Sequence, residues 1–120
     1  LLHNGVACAS LFDAPDAEAL ARARDHAHTA FRALPWLPAV RTTWGAVLVE
    51  TGPIREGLRH LSAAREEEET DRGRAAALAH AARGYHLLGE KEQATTALRK
   101  AERLAPDLYI VEAVRDSCVL

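Results

Sequence analysis

The stretch that decides the fold is WGAVLVETG at residues 44–52, whose pattern of residue sizes returns 37 residues later as AARGYHLLG at residues 81–89. Both copies carry a small residue at the second position, a large one at the fifth and glycine at the ninth. The spacing continues behind them with Gly57, Leu61 and Ala64, and again with Ala94, Leu98 and Ala101. A repeat of this kind, with a period in the thirties, is typical of stacked helical hairpins.

The composition agrees with an all-helical domain. The 120 residues include 25 alanines and 16 leucines but only two each of Trp, Tyr and Phe, which favours helices packed through small side chains over a β-sheet. The net charge of −2 is spread along the chain, so the clustered basic surface of a nucleic-acid-binding protein is missing. No apolar stretch reaches the roughly 18 to 20 residues that span a bilayer, so we expect no membrane insertion by this segment.

The first residues, LLHN, lack a methionine and the basic flank of a signal peptide. They are typical of the middle of a helix, so we expect a piece of a longer protein and favour a cytoplasmic over a secreted location. Cys8 and Cys118 lie near opposite ends of the chain. A disulfide framework needs more cysteines at closer spacing, so both are predicted to be small, buried or half-buried residues.

The clearest unit runs over residues 74–107. Residues 75–88 form a strong helix pattern, and Gly89 stands where a helix end favours the left-handed conformation. Glu90 then opens a second helix, which we expect to end before Pro106 because proline crowds the preceding residue. The small pair Ala82 and Ala94 is predicted to let the two helices touch.

The pattern Leu78-x-x-Ala81-Ala82-x-x-Tyr85-x-x-x-Gly89-x-x-x-x-Ala94-x-x-x-Leu98-x-x-Ala101-x-x-x-x-Pro106 resembles a tetratricopeptide repeat. The resemblance extends over almost the whole chain, with a divergent first repeat at residues 1–37, a second at 38–73, a third at 74–107 and a capping helix at 108–120. It implies antiparallel hairpins stacked as a short right-handed α-solenoid of about seven helices. The family period is 34, so we expect the three extra residues to lengthen the second helix or the loop near residues 65–71.

The resemblance also implies a binding surface. In this family the first helix of each repeat faces a concave groove that holds a peptide or a helix of a partner. The matching positions here are Asn4, Cys8, Leu11, Phe12, Thr42, Thr43, Ala46, Val49, Glu50, Ala79, His80, Arg83 and His86. Apolar contacts would supply the affinity, while Arg83, the histidines and Glu50 would set the orientation of the partner.

Members of the family that bind chaperone tails hold the terminal carboxylate with lysines, asparagines and an arginine. The matching sites here hold Asn4, Cys8, Thr43, Ala76 and His80, so the lysines are absent and that partner is rejected. Two roles are open for Arg83: a bidentate contact with one acidic group of a partner, or a solvated position on the helix surface.

Six histidines raise the question of a metal site. His26 and His28 are two residues apart and His80 and His86 are six apart, so neither pair shares a helix face. A phosphate loop, a nucleophile elbow and a zinc-protease motif are also missing. We therefore predict no cofactor, no metal and no enzymatic activity.

Two features between the repeats have alternative interpretations. The acidic run Glu66–Glu69 is either a solvated helix end or an acidic edge for a basic partner. Trp36 lies between Pro35 and Pro38, and we expect its ring to pack between repeats because large aromatic side chains bury much area. Phe12 has the same two possibilities, burial or exposure.

The sequence thus predicts a protein–protein interaction module whose partner is a peptide or a helix of another protein. The alternatives are a structural or self-associating tail of a larger membrane protein or enzyme, and the sensor half of a bacterial regulator. Self-association would use the apolar N-terminal end, with Leu1, Leu2, Val6, Leu11 and Phe12.

Overall fold

The structure, a computed structural model, describes residues 16–117. These residues form helices and no β-strand, which confirms the all-helical prediction. The six helices are α1 (Ala17–Ala33), α2 (Pro38–Thr51), α3 (Ile54–Glu67), α4 (Asp71–Leu87), α5 (Lys91–Leu104) and α6 (Tyr109–Ser117). The first of the seven predicted helices, around residues 4–11, lies outside the described residues.

The ends of the helices follow local signals in the sequence. Asp16 caps α1, where its carboxylate accepts a hydrogen bond of 2.7 Å from the backbone N–H of Ala19. Gly52 and Gly89 end α2 and α4 with φ angles of +83° and +76°, which glycine adopts without steric cost. The predicted turn at Gly89 and the predicted end of α5 before Pro106 are confirmed.

The three extra residues of the long repeat lie at the start of α4, and the prediction of a longer second helix or loop is wrong. Helix α3 has the same 14 residues as α5, and only Glu68–Thr70 connect α3 to α4. Helix α4 has 17 residues, whereas α2 has 14. The cause is a strong cap, because Thr70 Oγ1 accepts a hydrogen bond of 3.0 Å from the backbone N–H of Gly73.

The helices pack mostly against their neighbours in sequence. The closest pairs are α2 with α3 and α4 with α5, and α4 also packs on both α2 and α3. Helix α1 contacts α2, while α6 contacts α4 and α5. The core therefore continues from one pair to the next, with Val49, Leu58 and Leu61 buried where the pairs meet.

Small residues set the distance between paired helices. A Cβ atom on Gly57 of α3 would lie only 2.7 Å from the carbonyl oxygen of Gly45 in α2, so the two backbones are in direct contact there. Ala82 and Ala94 hold the corresponding places in α4 and α5, and both are fully buried. The contact between small residues is thus observed for Gly45 and Gly57, while the contact of Ala82 with Ala94 stays a prediction, supported by the burial of both residues.

Helix α6 covers the last pair with an apolar face. Val111 and Val114 are fully buried against α4 and α5, and Leu108 and Ile110 pack beside them. The opposite face is exposed and carries Glu112, Arg115 and Asp116. This division between an apolar and a polar face is the one that the sequence predicts for a final covering helix.

Candidate functional site

Most of the predicted groove residues within residues 16–117 are interior residues in this structure. Six of the nine are buried, namely Thr42, Thr43, Ala46, Val49, Ala79 and His80. Every residue of α2 from Thr42 to Val49 is buried, so this helix is covered on all of its faces. Their burial corrects the expectation of an open lining, while their contact with a partner stays a prediction.

The other four predicted groove residues, Asn4, Cys8, Leu11 and Phe12, lie outside the described residues. The remaining three, Glu50, Arg83 and His86, are partly exposed. They form the accessible part of the predicted surface, on α2 and α4.

Arg83 of α4 forms an ion pair with Glu50 of α2. Its Nε donates to Glu50 Oε1 at 2.9 Å and its Nη2 to Glu50 Oε2 at 3.5 Å. The two side chains are only 22 % and 15 % exposed, so the pair is partly shielded from water. The expectation of a solvated position is wrong for Arg83, because it pairs with Glu50 of its own chain, while its contact with an acidic group of a partner stays a prediction.

His80 is part of the interior of α4. It is 4 % exposed, and burial lowers the pKa of its imidazole to about 4. The side chain is therefore neutral near pH 7. Among residues 16–117, no three His, Cys, Asp or Glu side chains are grouped so that they could hold a metal ion.

The expected packing of Trp36 is wrong, because its side chain is 67 % exposed. Trp44 occupies the interior instead. Its ring lies 6.1 Å from that of Phe31, with 16° between their planes, and 5.1 Å from the ring of His28. The contact surface between α1 and α2 is thus already filled by aromatic rings, and Trp36 is left in the turn between them.

We call the surface strip between α1 and α3, which passes over α2, the first seam. It is filled by Phe31, Trp44 and His60, with the rings of Phe31 and His60 in edge-to-face contact at 5.2 Å. Burial and the neighbouring Arg41 lower the pKa of His60, and the neutral ring accepts a hydrogen bond of 3.1 Å from Arg41 Nε. The first seam is therefore closed by packed and hydrogen-bonded side chains.

The second seam lies between α3 and α5 and passes over α4. It contains an open cleft of about 420 Å³, within the range of roughly 300–1,000 Å³ common for ligand sites. The floor is apolar and includes Leu58, Leu61, Leu78 and Ala97. Exposed polar side chains form the rim, namely Ser62, Arg65, Glu92, Gln93, Thr96 and Lys100.

A second cavity of about 300 Å³ adjoins the cleft and shares Arg65, Leu78 and Lys100 with it. Its lining adds Arg74, Arg103 and Leu104. This end of the second seam is therefore strongly basic, with no acidic side chain in the lining of the second cavity.

Sequence reasoning missed the cleft, although its signal is present in the repeat. Trp44 and Ala81 hold the same position of the repeat, 37 residues apart, and so do His60 and Ala97. At these matching positions the first seam has a large ring and the second seam has only a methyl group, which indicates that the second seam is more open. The prediction considered only positions that the repeats share.

No protein-family model matches this chain, and no curated protein or solved structure matches it either. Within residues 16–117, none of the helices has the length and apolar character needed to cross a membrane.

Proposed function

We propose that this chain is a protein–protein interaction module, in which tetratricopeptide-like hairpins stack as a short right-handed α-solenoid. The observation that carries the proposal is the equivalence of the two central helix pairs. Gly45 contacts Gly57 in one pair, and the small residues Ala82 and Ala94 are buried at the matching positions of the next pair. In this proposal residues 1–37, 38–73 and 74–107 are the repeats and 108–120 the cap.

The packing between the pairs supports a stack. Helix α4 contacts both helices of the preceding pair, and α6 contacts both helices of its own preceding pair. A repeat protein of this design presents the same kind of surface from each unit, and its common use is to bind another polypeptide.

The binding surface in this proposal is the face shared by α2 and α4. Its accessible polar groups are Glu50, Arg83 and His86. The ion pair of Glu50 and Arg83 joins α2 to α4, which are the first helices of the second and third repeats. A partner that contacts this pair therefore contacts two repeats at once. The pair supplies both an acceptor and several donors for the backbone or side chains of a bound segment.

The buried part of this face has one incompletely satisfied group. Within the described residues, Thr42 Oγ1 is buried and has no hydrogen-bond partner. An unpaired buried hydroxyl costs roughly 1–3 kcal/mol. Thr42 lies in the interior and α2 is covered at this position, so this cost belongs to the folded chain and does not bear on the partner.

The test uses the purified chain as bait for a lysate, identifies retained proteins by mass spectrometry and measures their affinity by calorimetry. A charge-swapped variant, Glu50→Arg with Arg83→Glu, keeps the internal ion pair but reverses its direction. The matched control, Arg55→Glu with Glu90→Arg, reverses the ion pair that joins the beginnings of α3 and α5.

We expect the swap at Glu50 and Arg83 to weaken binding on the order of tenfold or more and the control swap to leave it unchanged. Equal binding by the two variants would place the partner on another surface. A chain that retains no partner and sediments as a dimer would contradict the proposal in favour of the self-associating alternative.

A further inference from the structure

The two seams are built on equivalent helices but differ in their side chains. At an offset of 37, Ala81 stands where the first seam has Trp44, and Ala97 stands where it has His60. Helices α1 and α3 correspond at an offset of 34 residues, and at this offset Arg65 of α3 stands where α1 has Phe31. All three replacements, Arg65, Ala81 and Ala97, line the cleft.

The cleft is therefore the space that three rings occupy one repeat earlier. Its apolar lining is formed by leucine and alanine side chains and by the half-buried Tyr85, and its rim residues are exposed to solvent. Such a space matches a bulky, flat apolar group of the size of those rings, whose burial would remove apolar surface from water on both sides.

The basic end of the seam adds a charge requirement. Arg74 pairs with Asp71 at 2.9 Å. In contrast, Arg65, Lys100 and Arg103 form no ion pair with residues 16–117. Three cations that are not compensated within this part of the chain, beside an apolar cleft, favour a ligand with an anionic flank.

We propose that the second seam binds a peptide segment of a partner protein that carries an aromatic side chain flanked by acidic residues. The aromatic ring enters the cleft over Ala81 and Ala97, and the carboxylates lie toward Arg65, Lys100 and Arg103. This inference rests on the proposed function in one respect, that the partner is a polypeptide. It adds a second binding surface, the cleft on α3, α4 and α5, to the face shared by α2 and α4.

The chain also carries a competing attraction. The acidic run Glu66–Glu69 follows Arg65 directly, and a basic segment would be drawn to it. Glu66, Glu67 and Glu69 are exposed, and none of the four lines either cavity. A peptide anchored in the cleft therefore meets Arg65 and Lys100, with Glu92 as the carboxylate of the cleft lining, before it meets the acidic run. The sign of its flanking charges decides between the two attractions.

The probe is a fluorescein-labelled peptide of sequence Gly-Gly-Trp-Asp-Glu-Asp-Gly, and its binding is followed by fluorescence anisotropy. One counterpart has alanine in place of tryptophan, and a second has three lysines in place of the acidic residues. The acidic tryptophan peptide should bind at least tenfold more tightly than either counterpart, and added salt should weaken it.

Two kinds of variant test the two parts of the site. Ala81→Trp, or the smaller change Ala97→His, copies a ring of the first seam into the cleft and should weaken the probe at least tenfold. Arg65→Glu with Lys100→Glu reverses the charge at the rim and should do the same. The matched control is Arg59→Glu with Arg99→Glu, which makes the same charge change on exposed positions of α3 and α5 outside the cleft.

Circular dichroism melts establish that each variant is folded before its binding is measured. If only one of the filling variants, Ala81→Trp and Ala97→His, is folded, that one is sufficient for the test. Backbone amide shifts of the labelled chain on addition of the peptide then locate the site. Shifts around Ala97 and Lys100 support the proposal, whereas shifts confined to Glu50, Arg83 and His86 overturn it and leave the proposed function standing.

Three other results would also overturn this inference. They are equal binding by the filling variants, equal binding of the lysine peptide, and no binding of the acidic peptide at about 1 mM. The proposed function fails separately, when neither the chain nor its charge-swapped variant retains a protein partner.

Discussion

The contact between α2 and α3 at Gly57 allows a prediction of stability from geometry. In the variant Gly57→Ala the new Cβ atom would lie 2.7 Å from the carbonyl oxygen of Gly45, 3.0 Å from the backbone nitrogen of Val49 and 3.1 Å from Leu48 Cβ. Two of these atoms belong to the backbone of α2, and Leu48 is fully buried. No side-chain rotation relieves the contacts, so α3 has to move away from α2.

The magnitude follows from two opposing effects. Overpacking a core contact costs typically 1–3 kcal/mol, and a clash with backbone atoms belongs at about 3 kcal/mol. Alanine in place of a helical glycine recovers about 1 kcal/mol of helix propensity. We expect Gly57→Ala to lower the free energy of unfolding by about 2 kcal/mol.

Gly73→Ala is the matched control, because Gly73 is also helical and its added Cβ also meets close neighbours. Those neighbours are all atoms of the half-buried Glu68 side chain, which starts in the connector and can change its rotamer, whereas the backbone of α2 cannot. The gain in helix propensity then offsets the small cost of moving that side chain. We expect a change within about 0.5 kcal/mol of zero.

The assay is urea denaturation of the original chain and the two variants, followed by circular dichroism. Gly57→Ala should shift the midpoint downward by roughly 1 M at an unchanged slope, while Gly73→Ala should leave the midpoint nearly in place. If Gly57→Ala were as stable as Gly73→Ala, the two helices would not be in backbone contact, and the argument that small residues set the spacing of the pairs would be refuted.

Three further predictions use the same denaturation assay. Burial lowers the pKa of His80 to about 4, whereas an unfolded histidine has a pKa near 6.5, so the unfolded chain binds the proton first. The free energy of unfolding should therefore fall by up to roughly 3 kcal/mol as the pH drops from 6.5 to 4. His80→Gln should remove this part of the pH dependence of stability. Thr70→Ala should cost about 1 kcal/mol through loss of the cap on Gly73, whereas Thr70→Asn should retain most of it. Trp36→Ala should change stability by less than about 0.5 kcal/mol, and Trp44→Ala should cost roughly 3–5 kcal/mol; a large loss from Trp36→Ala would contradict its exposure.

The helices of the described region could be predicted from sequence because their ends depend on local chemistry. Asp16, Gly89 and Pro106 each act within a few residues, through a side-chain cap, a left-handed backbone or a steric block. The contact of small residues between α2 and α3 is also predictable, because the repeat places these residues at fixed positions. These are properties that a sequence pattern expresses directly.

The surfaces could not be predicted in the same way. Trp36 was expected to be buried, but whether a ring is buried depends on whether another ring already fills the site, and here Trp44 does. The burial of Thr42 and Ala46 depends likewise on what packs over α2 in three dimensions. The position of the extra residues at the start of α4 depends on the cap that Thr70 provides, which a comparison of repeat positions does not express.

The width of the cleft depends on how closely α4 approaches α2 and α3 and on how α5 packs on α4. Gly84 of α4 lies against α2 and α3 so closely that a Cβ atom would come within 2.8 Å of Leu58 Cδ2 and 3.1 Å of Val49 Cγ2. Helix α4 is thus already at its closest approach, and α5 is held to α4 by the buried Ala94 and Leu98. The helices around the second seam therefore have no room to collapse into the space that rings occupy in the first seam. A ligand that fills this space gains apolar contact without first having to open it, which is the condition under which a modest peptide binds with useful affinity.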